Sequence, residues 1–144
     1  MAKSNHPLTP QSLLGAASSL VRSVEYLVPN VKEVEVWGIA VLSAHALEII
    51  LKASLVANGV TEAELKRRVG HDLNKAWRLA SSLGLAVPGE PPRWCNLLDG
   101  VHDCPYVLRY PPTNTAMVLS NLHELSANLR DVYELVQQSI KVDA

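Results

Sequence analysis

Three polar side chains interrupt a stretch of the sequence that is otherwise almost wholly apolar. The run from Val36 to Ala57 contains His45, Glu48 and Lys52 as its only charged or imidazole side chains. In an α-helix, which turns by about 100° per residue, the three fall within about a 60° arc of one face. A glutamate four residues before a lysine is the favourable order for a helical ion pair. The pair either fixes the packing of a partly buried helix or holds Lys52 where its ammonium can reach a phosphate.

A second candidate site is the motif Gly70-His71-Asp72-Leu73. Glycine commonly ends a helix and aspartate commonly caps the next one, so Gly70 and Asp72 have structural explanations. His71 has none. Histidine titrates near neutral pH, which suits proton transfer or a hydrogen bond to a phosphate. A functional and a structural role for His71 are equally open.

A third candidate is Arg109-Tyr110, which lies in a segment stiffened by prolines at positions 111 and 112. Arg109 could clamp a phosphate, or its guanidinium could bind Glu48 and lock the segment to the core, which is the role we favour. Further basic side chains surround the His71 motif, namely Lys66, Arg67, Arg68, Lys75 and Arg78. Binding of a phosphate to this modest cluster would weaken with salt.

Possible metal ligands also occur close together near residue 100. They are Cys95, Asp99, His102, Asp103 and Cys104. Their spacing matches no standard zinc site and includes no C-x-x-C pair, so we expect ordinary side chains and no metal. The sequence also lacks a glycine-rich phosphate loop and a serine nucleophile motif, and no cofactor is expected.

Capping residues and apolar spacing divide the chain into helices. Threonine and proline at positions 9–10 are typical of a helix start, and Asn58-Gly59 is typical of a left-handed helix end. In the fifth helix Trp94, Leu97 and Leu98 are expected to face inward. The predicted helices cover residues 10–28, about 30–57, 62–69, 73–83, 93–101 and about 113–142.

The C-terminal helix carries an apolar residue nearly every three and a half positions: Val118, Leu122, Leu125, Leu129, Val132, Val136 and Ile140. This seam is long enough to help form a dimer. No segment shows the alternation of a β-strand, so the sequence predicts an all-α fold. We expect one domain over residues 1–144, with its core at about 8–142. It should be a bundle of four or five main helices, with a long central and a long C-terminal helix.

Charge and composition narrow the classes of function. The 144 residues include 13 basic and 14 acidic side chains, a net charge of -1, so no global field attracts nucleic acid or an acidic membrane. The N-terminus lacks the apolar core of a secretion signal, and we expect a cytoplasmic protein. The apolar run at 36–57 is long enough to span a bilayer, but charged groups near its middle cost roughly 2.5 to 3.5 kcal/mol each. A buried helix is therefore expected, with no membrane partner.

In their shared order, three motifs resemble the HEPN superfamily of small helical domains. They are AHALE at 44–48 with Lys52, GHDL at 70–73 and LRYP at 108–111, and the resemblance covers about residues 34–136. It implies a helical bundle around an antiparallel helix core, usually dimeric. Such domains are often encoded beside a minimal nucleotidyltransferase in toxin–antitoxin or host-defence systems. Many members are metal-independent RNA endonucleases.

The sequence departs from the catalytic members of that superfamily. They carry an arginine, four to six further residues and then a histidine, which does acid/base work on the ribose hydroxyl at the dimer interface. Arg67 precedes His71 with only three residues between them, and no arginine in the chain has a histidine at the required distance. The resemblance is therefore to non-catalytic or divergent members.

Two functions follow as expectations. The first is a non-enzymatic, homodimeric module that binds a partner protein, such as a nucleotidyltransferase, or a phosphate group of RNA or a nucleotide. The alternative is a divergent endoribonuclease toxin in which His71 and an arginine such as Arg109 meet across the dimer. A helical scaffold without a ligand is a third reading. The candidate binding residues are Glu48, Lys52, Arg67, His71, Asp72, Arg109 and Tyr110.

Overall fold

The structure is a computed structural model that describes residues 7–31, 36–103 and 119–142. These residues form six α-helices and one short 3-10 helix, and none of them lies in a β-strand. The helices are α1 (Pro10–Leu27), α2 (Val36–Ala57), α3 (Glu62–Arg68), α4 (Leu73–Ser82), α5 (Arg93–His102) and α6 (Leu122–Val142). The all-α prediction is confirmed. The described part of the chain contains six helices, two of them long, where four or five main helices were expected.

Three of the helix starts follow directly from the sequence. The side chains of Thr9, Thr61 and Asp72 accept hydrogen bonds from the backbone N–H groups of Ser12 (3.0 Å), Glu64 (3.2 Å) and Lys75 (2.8 Å). Each of these bonds satisfies an N–H group that has no partner inside its helix. At the other ends, Gly59 and Gly70 have positive φ angles of 85° and 57°, as expected for left-handed caps after α2 and α3.

The predicted starts of the two long helices have different outcomes. The start of α2 was expected near residues 30–32, but Asn30 ends the 3-10 helix and Val31 is extended, so α2 does not begin at either of them. Residues 32–35 lie outside the described residues. The predicted start of α6 at 113–114 also lies outside them, but 119–121 are not helical, so α6 begins later than a continuous helix would. Asn121 explains this start, because its side-chain oxygen accepts hydrogen bonds from the backbone N–H groups of His123 (3.0 Å) and Glu124 (3.2 Å).

Helix α2 lies at the centre of the bundle, where it contacts α1, α4, α5 and α6. Its large apolar side chains are fully buried, among them Ile39, Leu47, Ile50, Leu51 and Leu55. Burial on several sides explains why the helix is apolar almost all round. Length and composition alone would also let α2 cross a membrane, and 67% of its most apolar window is buried inside the bundle.

The apolar seam of α6 packs within the chain against α1 and α2. Leu125, Leu129 and Val136 are fully buried, so this seam is largely used inside the monomer rather than left for a second copy. An ion pair reinforces the contact, with Arg130 Nε 3.1 Å from Glu25 Oε2 on α1.

The inward face of α5 differs in part from the prediction. Leu98 is fully buried as expected, but Cys95 is the second fully buried side chain. Trp94 and Leu97 are only partly buried. Cys95 and Leu98 lie three residues apart and therefore share one side of the helix, which is the side that meets the core.

Candidate functional site

The buried carboxylate of Glu48 lies at the centre of a cluster of polar side chains. Its Oε1 atom accepts hydrogen bonds from Nδ1 of His71 at 2.7 Å and from Nε2 of His102 at 3.0 Å. Lys52 Nζ lies 3.4 Å from the second oxygen, Oε2. We call Glu48, Lys52, His71 and His102 the Glu48 cluster. Both oxygens of the carboxylate are engaged, as burial of a charge requires.

Three separate parts of the chain supply the Glu48 cluster. Glu48 and Lys52 are one turn apart on α2, so the carboxylate and the ammonium lie on one face. His71 occupies the joint between α3 and α4, where Gly70 takes a positive φ angle and Asp72 caps α4. His102 is the last residue of α5. The His71 and His102 rings meet edge to face, with centroids 6.1 Å apart.

A second carboxylate ties the two histidine-bearing segments together. Asp99, one turn before His102 on α5, accepts a hydrogen bond from the backbone N–H of Leu73 at 2.7 Å. Its other oxygen accepts one from Nδ2 of Asn74 at 3.0 Å. Because Leu73 and Asn74 directly follow the joint that carries His71, Asp99 fixes the start of α4 against α5. Asp99 therefore helps to position the two segments that carry the imidazole rings, and Glu48 binds the rings themselves.

The Glu48 cluster keeps its carboxylate ionised. Burial alone would raise the pKa of Glu48, but the hydrogen bonds from His102 and His71 and the charge of Lys52 outweigh it and lower the pKa to about 2. At neutral pH the carboxylate can only accept hydrogen bonds. His71 Nδ1 and His102 Nε2 must therefore both carry a proton and donate it to Glu48.

The Glu48 cluster is closed at one end and open at the other. The side chains of Glu48 and His102 are 7% and 10% exposed, whereas that of His71 is 40% exposed. His71 and Lys52 line a cleft of about 560 Å³, which we call the His71 cleft. Its described lining residues are Leu8, Lys52, Glu62, Leu65, Lys66, Gly70 and His71. A cleft of this volume is large enough for a small organic ligand.

The structure brings together some of the residues singled out from the sequence and separates others. Glu48, Lys52 and His71 are in contact. Asp72 caps α4, and Arg67 is exposed on α3; neither is among the described residues that line the His71 cleft. The side chain of His45 is exposed, one turn before the buried Glu48 on α2. Arg109 and Tyr110, including the expected pairing of Arg109 with Glu48, lie outside the described residues.

Sequence reasoning missed His102 as a member of the site. The sequence placed His102 only among the possible metal ligands near residue 100, from which no metal site was expected. A usable signal existed, because His102 follows the buried Leu98 by four residues and Cys95 by seven, which places it on the buried side of α5. That its partner would be Glu48, 54 residues earlier, has no local signal.

Two groups of side chains in the described part of the chain have the composition and spacing to hold a metal ion. One is Glu48, His71 and His102; the other is Asp72, Asp99 and Asp103. Cys95 is in neither, since its thiol is buried and donates to Asn74 Oδ1 at 3.6 Å. Burial, and then the nearby charge of Asp99, raise the pKa of Cys95 to about 12, so the thiol stays protonated. Cys104 lies outside the described residues.

Comparison with models of known protein families, with curated proteins and with solved structures gives no match for this chain. The resemblance to the HEPN superfamily therefore rests on the sequence motifs alone. The described residues define an all-α helical protein whose central helix carries a buried carboxylate bound by two imidazoles and an ammonium.

Proposed function

We propose that this protein is a non-enzymatic helical module that binds a phosphate group of RNA or of a nucleotide in the His71 cleft. The observation that carries the proposal is the position of His71. Its Nδ1 atom is committed to the buried Glu48, while the rest of its partly exposed ring lines the cleft. A ring fixed on one side by a carboxylate offers its other nitrogen, Nε2, to a ligand.

The cationic side chains that line the His71 cleft suit a phosphate. Lys52 and Lys66 both line it. An ammonium has three N–H donors, so Lys52 can contact Glu48 and still donate to a ligand. His71, when protonated at both nitrogens, donates Nδ1–H to Glu48 and Nε2–H to a phosphate oxygen. Hydrogen bonds between charged partners are about twice as strong as neutral ones, which favours an anion over a neutral ligand here.

The apolar lining of the His71 cleft suits the base or sugar of a nucleotide. The buried Leu65 and the exposed Leu8 both line it, so the cleft offers apolar contacts as well as cations. Glu62 also lines the cleft, and its carboxylate accepts a hydrogen bond from the backbone N–H of Leu8 at 3.3 Å. A lining that combines cations with leucines matches a ligand with a charged and an apolar part.

Binding of labelled single-stranded RNA and of a nucleoside monophosphate tests this proposal. Affinity should be measured by fluorescence anisotropy and by calorimetry at two salt concentrations. We expect Lys66→Met to weaken RNA binding by about tenfold, because a charged hydrogen bond is lost. The slope of log affinity against log salt should fall by about 0.7 for each phosphate contact removed.

The matched control is Lys141→Met, which removes an exposed lysine near the end of α6, away from the described lining of the His71 cleft. It should leave both the affinity and the salt slope almost unchanged. Equal losses in the two variants would mean that binding follows overall charge rather than the cleft. Absence of saturable binding to either ligand would overturn the proposal.

One observation favours a second candidate function, a divergent metal-independent endoribonuclease. Glu48 and His71 form a carboxylate–imidazole pair with a nitrogen-to-oxygen distance of 2.7 Å. Such a pair orients an imidazole and fixes which nitrogen faces the carboxylate, which is the arrangement used by histidine acid/base catalysts. In this reading His71 takes a proton from a ribose hydroxyl, and an arginine such as Arg109 stabilises the phosphate.

Incubation of purified protein with total cellular RNA separates the two functions. The binding module leaves the RNA intact. The endoribonuclease produces fragments in the presence of EDTA, and His71→Ala abolishes the cleavage. The exposed His123 on α6 provides the control, since His123→Ala should cleave like the unaltered chain. Expression of the unaltered chain should then also arrest growth.

Further proposals rest on the sequence resemblance. They are membership of the HEPN superfamily, a homodimer, a nucleotidyltransferase-type partner protein and a place in a toxin–antitoxin or defence system. A cytoplasmic location without a membrane partner is proposed from the composition of the chain and from the charged groups within residues 36–57. Sedimentation of the purified chain tests the dimer directly. The apolar seam of α6 is largely buried within the chain, so a dimer would have to use another surface.

A further inference from the structure

We propose that Glu48, His71 and His102 form a binding site for one divalent first-row transition-metal ion, such as Zn²⁺. This inference goes beyond the proposed function and does not depend on it. The three side chains come from α2, from the joint between α3 and α4, and from the end of α5. One carboxylate oxygen and two imidazole nitrogens lie within 4.8 Å of one another.

The distances between the three ligand atoms fit a common ion. Glu48 Oε1 lies 2.7 Å from His71 Nδ1 and 3.0 Å from His102 Nε2. Ligands bound to zinc at about 2.0–2.2 Å lie about 3–3.5 Å apart when they occupy neighbouring positions. The two nitrogens would therefore have to move a few tenths of an ångström further from Oε1 to admit the ion, and they lie within 4.8 Å of each other.

The surroundings hold the ligands as metal sites require. Lys52 contacts Oε2 of Glu48, the oxygen that neither histidine uses, and so fixes the carboxylate with Oε1 directed at the rings. Asp99 braces the segments that carry the two histidines through Leu73 and Asn74. Glu48 and His102 are almost fully enclosed, whereas His71 borders the His71 cleft, which leaves room for water or a ligand in a further coordination position.

The ligand types select the class of ion. Two imidazoles and one carboxylate suit Zn²⁺ and other first-row transition ions, whereas Mg²⁺ and Ca²⁺ prefer sites built from oxygen alone. The charge of Lys52 opposes the ion and lowers its affinity. The carboxylates of Asp72 and Asp103, each next to a histidine ligand in the sequence, act in the opposite direction.

The other candidate set of metal ligands, Asp72, Asp99 and Asp103, does not support a metal site. Asp72 is engaged as the cap of α4, and both oxygens of Asp99 accept hydrogen bonds from Leu73 and Asn74. Its three members are all acidic, and no nitrogen ligand joins them.

Metal binding would change which ring nitrogens carry protons, and the exchange balances. In the metal-free chain, His71 Nδ1 and His102 Nε2 each hold a proton that is donated to Glu48. An ion binds an imidazole through an unprotonated nitrogen. Each ring must therefore lose its proton at the coordinating nitrogen and take one up at the other, at Nε2 of His71 and Nδ1 of His102. For neutral rings the net number of bound protons is unchanged.

Calorimetric titration of the untagged, EDTA-treated full chain with ZnCl₂ tests the site, since an affinity tag would bind zinc itself. We expect one ion per chain, a rise in melting temperature, and loss of the Nδ1 proton of His71 and the Nε2 proton of His102 in NMR spectra. His102→Gln should weaken binding at least about 100-fold, because even residues that only support metal ligands are worth 10–100-fold.

His123→Gln serves as the control and should bind zinc like the unaltered chain, with circular dichroism confirming that every variant is folded. The proposal is overturned if the unaltered chain takes up no zinc, or if His102→Gln and His71→Gln both bind it as tightly as the control. RNA binding in EDTA is measured on the same samples. If the chain binds RNA but no zinc, only the metal site is wrong. If it binds zinc but no RNA, only the proposed function is wrong.

Discussion

Two carboxylates on neighbouring helices, the buried Glu48 and the half-buried Asp99, have opposite electrostatic surroundings. Burial raises the pKa of both. At Glu48 the two histidine hydrogen bonds and Lys52 outweigh burial, and the pKa falls to about 2. At Asp99 burial prevails over the hydrogen bonds from Leu73 and Asn74, the nearby charges of Asp72 and Asp103 add to it, and the pKa is raised.

The difference lies in the groups that each carboxylate holds. Asp99 holds a backbone amide and a side-chain amide, whose only role here is to join α4 to α5. Glu48 holds two imidazoles and an ammonium, and two of these three partners reach the His71 cleft. Asp99 is therefore a structural brace, and Glu48 positions groups that can act on a ligand. The predictions below test this contrast.

The largest expected effect is that of Glu48→Ala on stability. Removal of one partner from a buried charge cluster leaves the others without compensation, so we expect the free energy of unfolding to fall by about 3–5 kcal/mol. Urea denaturation followed by circular dichroism measures this loss. A loss below 1 kcal/mol would mean that the Glu48 cluster is not a buried unit.

On acidification, Glu48 and Asp99 should change the free energy of unfolding in opposite directions. The folded-state pKa of Glu48, about 2, lies below its ordinary value of 4.5, so its stabilising contribution is complete above about pH 4.5 and is lost as the pH falls towards 2. The difference corresponds to about 3 kcal/mol. For Asp99 the pKa is raised, so its ionised form opposes folding and protonation in acid relieves that cost.

Unfolding free energies measured in EDTA across this pH range provide the test. Glu48→Gln should show a flatter decline in acid than the unaltered chain, and Asp99→Asn should show a steeper one. If the unfolding free energies of the two variants change with pH in the same way, the two carboxylates do not differ electrostatically as described.

The effect of Asp99→Ala on stability should be smaller than that of Glu48→Ala. It leaves the N–H group of Leu73 without its carboxylate acceptor, and we expect a loss of about 1–3 kcal/mol. Asp99→Asn keeps an oxygen for that N–H group and should lose less. If Asp99→Ala also abolishes RNA binding while the protein stays folded, Asp99 is needed to position His71 for the ligand and not only to join α4 to α5.

The smallest expected effect is that of Asp72→Ala. Loss of the cap on α4 should lower the free energy of unfolding by about 1 kcal/mol. Since Asp72 is not among the described residues that line the His71 cleft, RNA affinity should change little in anisotropy measurements. A large loss of affinity would place Asp72 in the binding site, as its inclusion among the sequence candidates allowed.

Local signals made most of the fold predictable. Thr9, Thr61 and Asp72 cap helices because their side chains satisfy N–H groups only a few residues away. The start of α6 was predicted too early because apolar spacing continues upstream of Asn121, whose capping role was not recognised. Apolar spacing reports which face of a helix would be buried, but it does not report where that helix begins.

The candidate site was only partly predictable, because its contacts span long distances in sequence. Glu48 and Lys52 share a helix face, so their contact follows from spacing alone. The contacts from Glu48 to His71 and His102 cross 23 and 54 residues. These two contacts depend on how α2, α4 and α5 pack together. That packing cannot be deduced from the local patterns of one sequence. The histidine on the buried face of α5 could have been recognised as inward, but not matched to its acceptor.

Histidine NMR during titration with a nucleoside monophosphate tests the central claim most directly. If the His71 cleft binds phosphate, the ring resonances of His71 shift saturably, those of the exposed His123 do not, and Lys66→Met weakens the response. Shifts at His123 equal to those at His71, or no saturable shift at His71, would contradict the account.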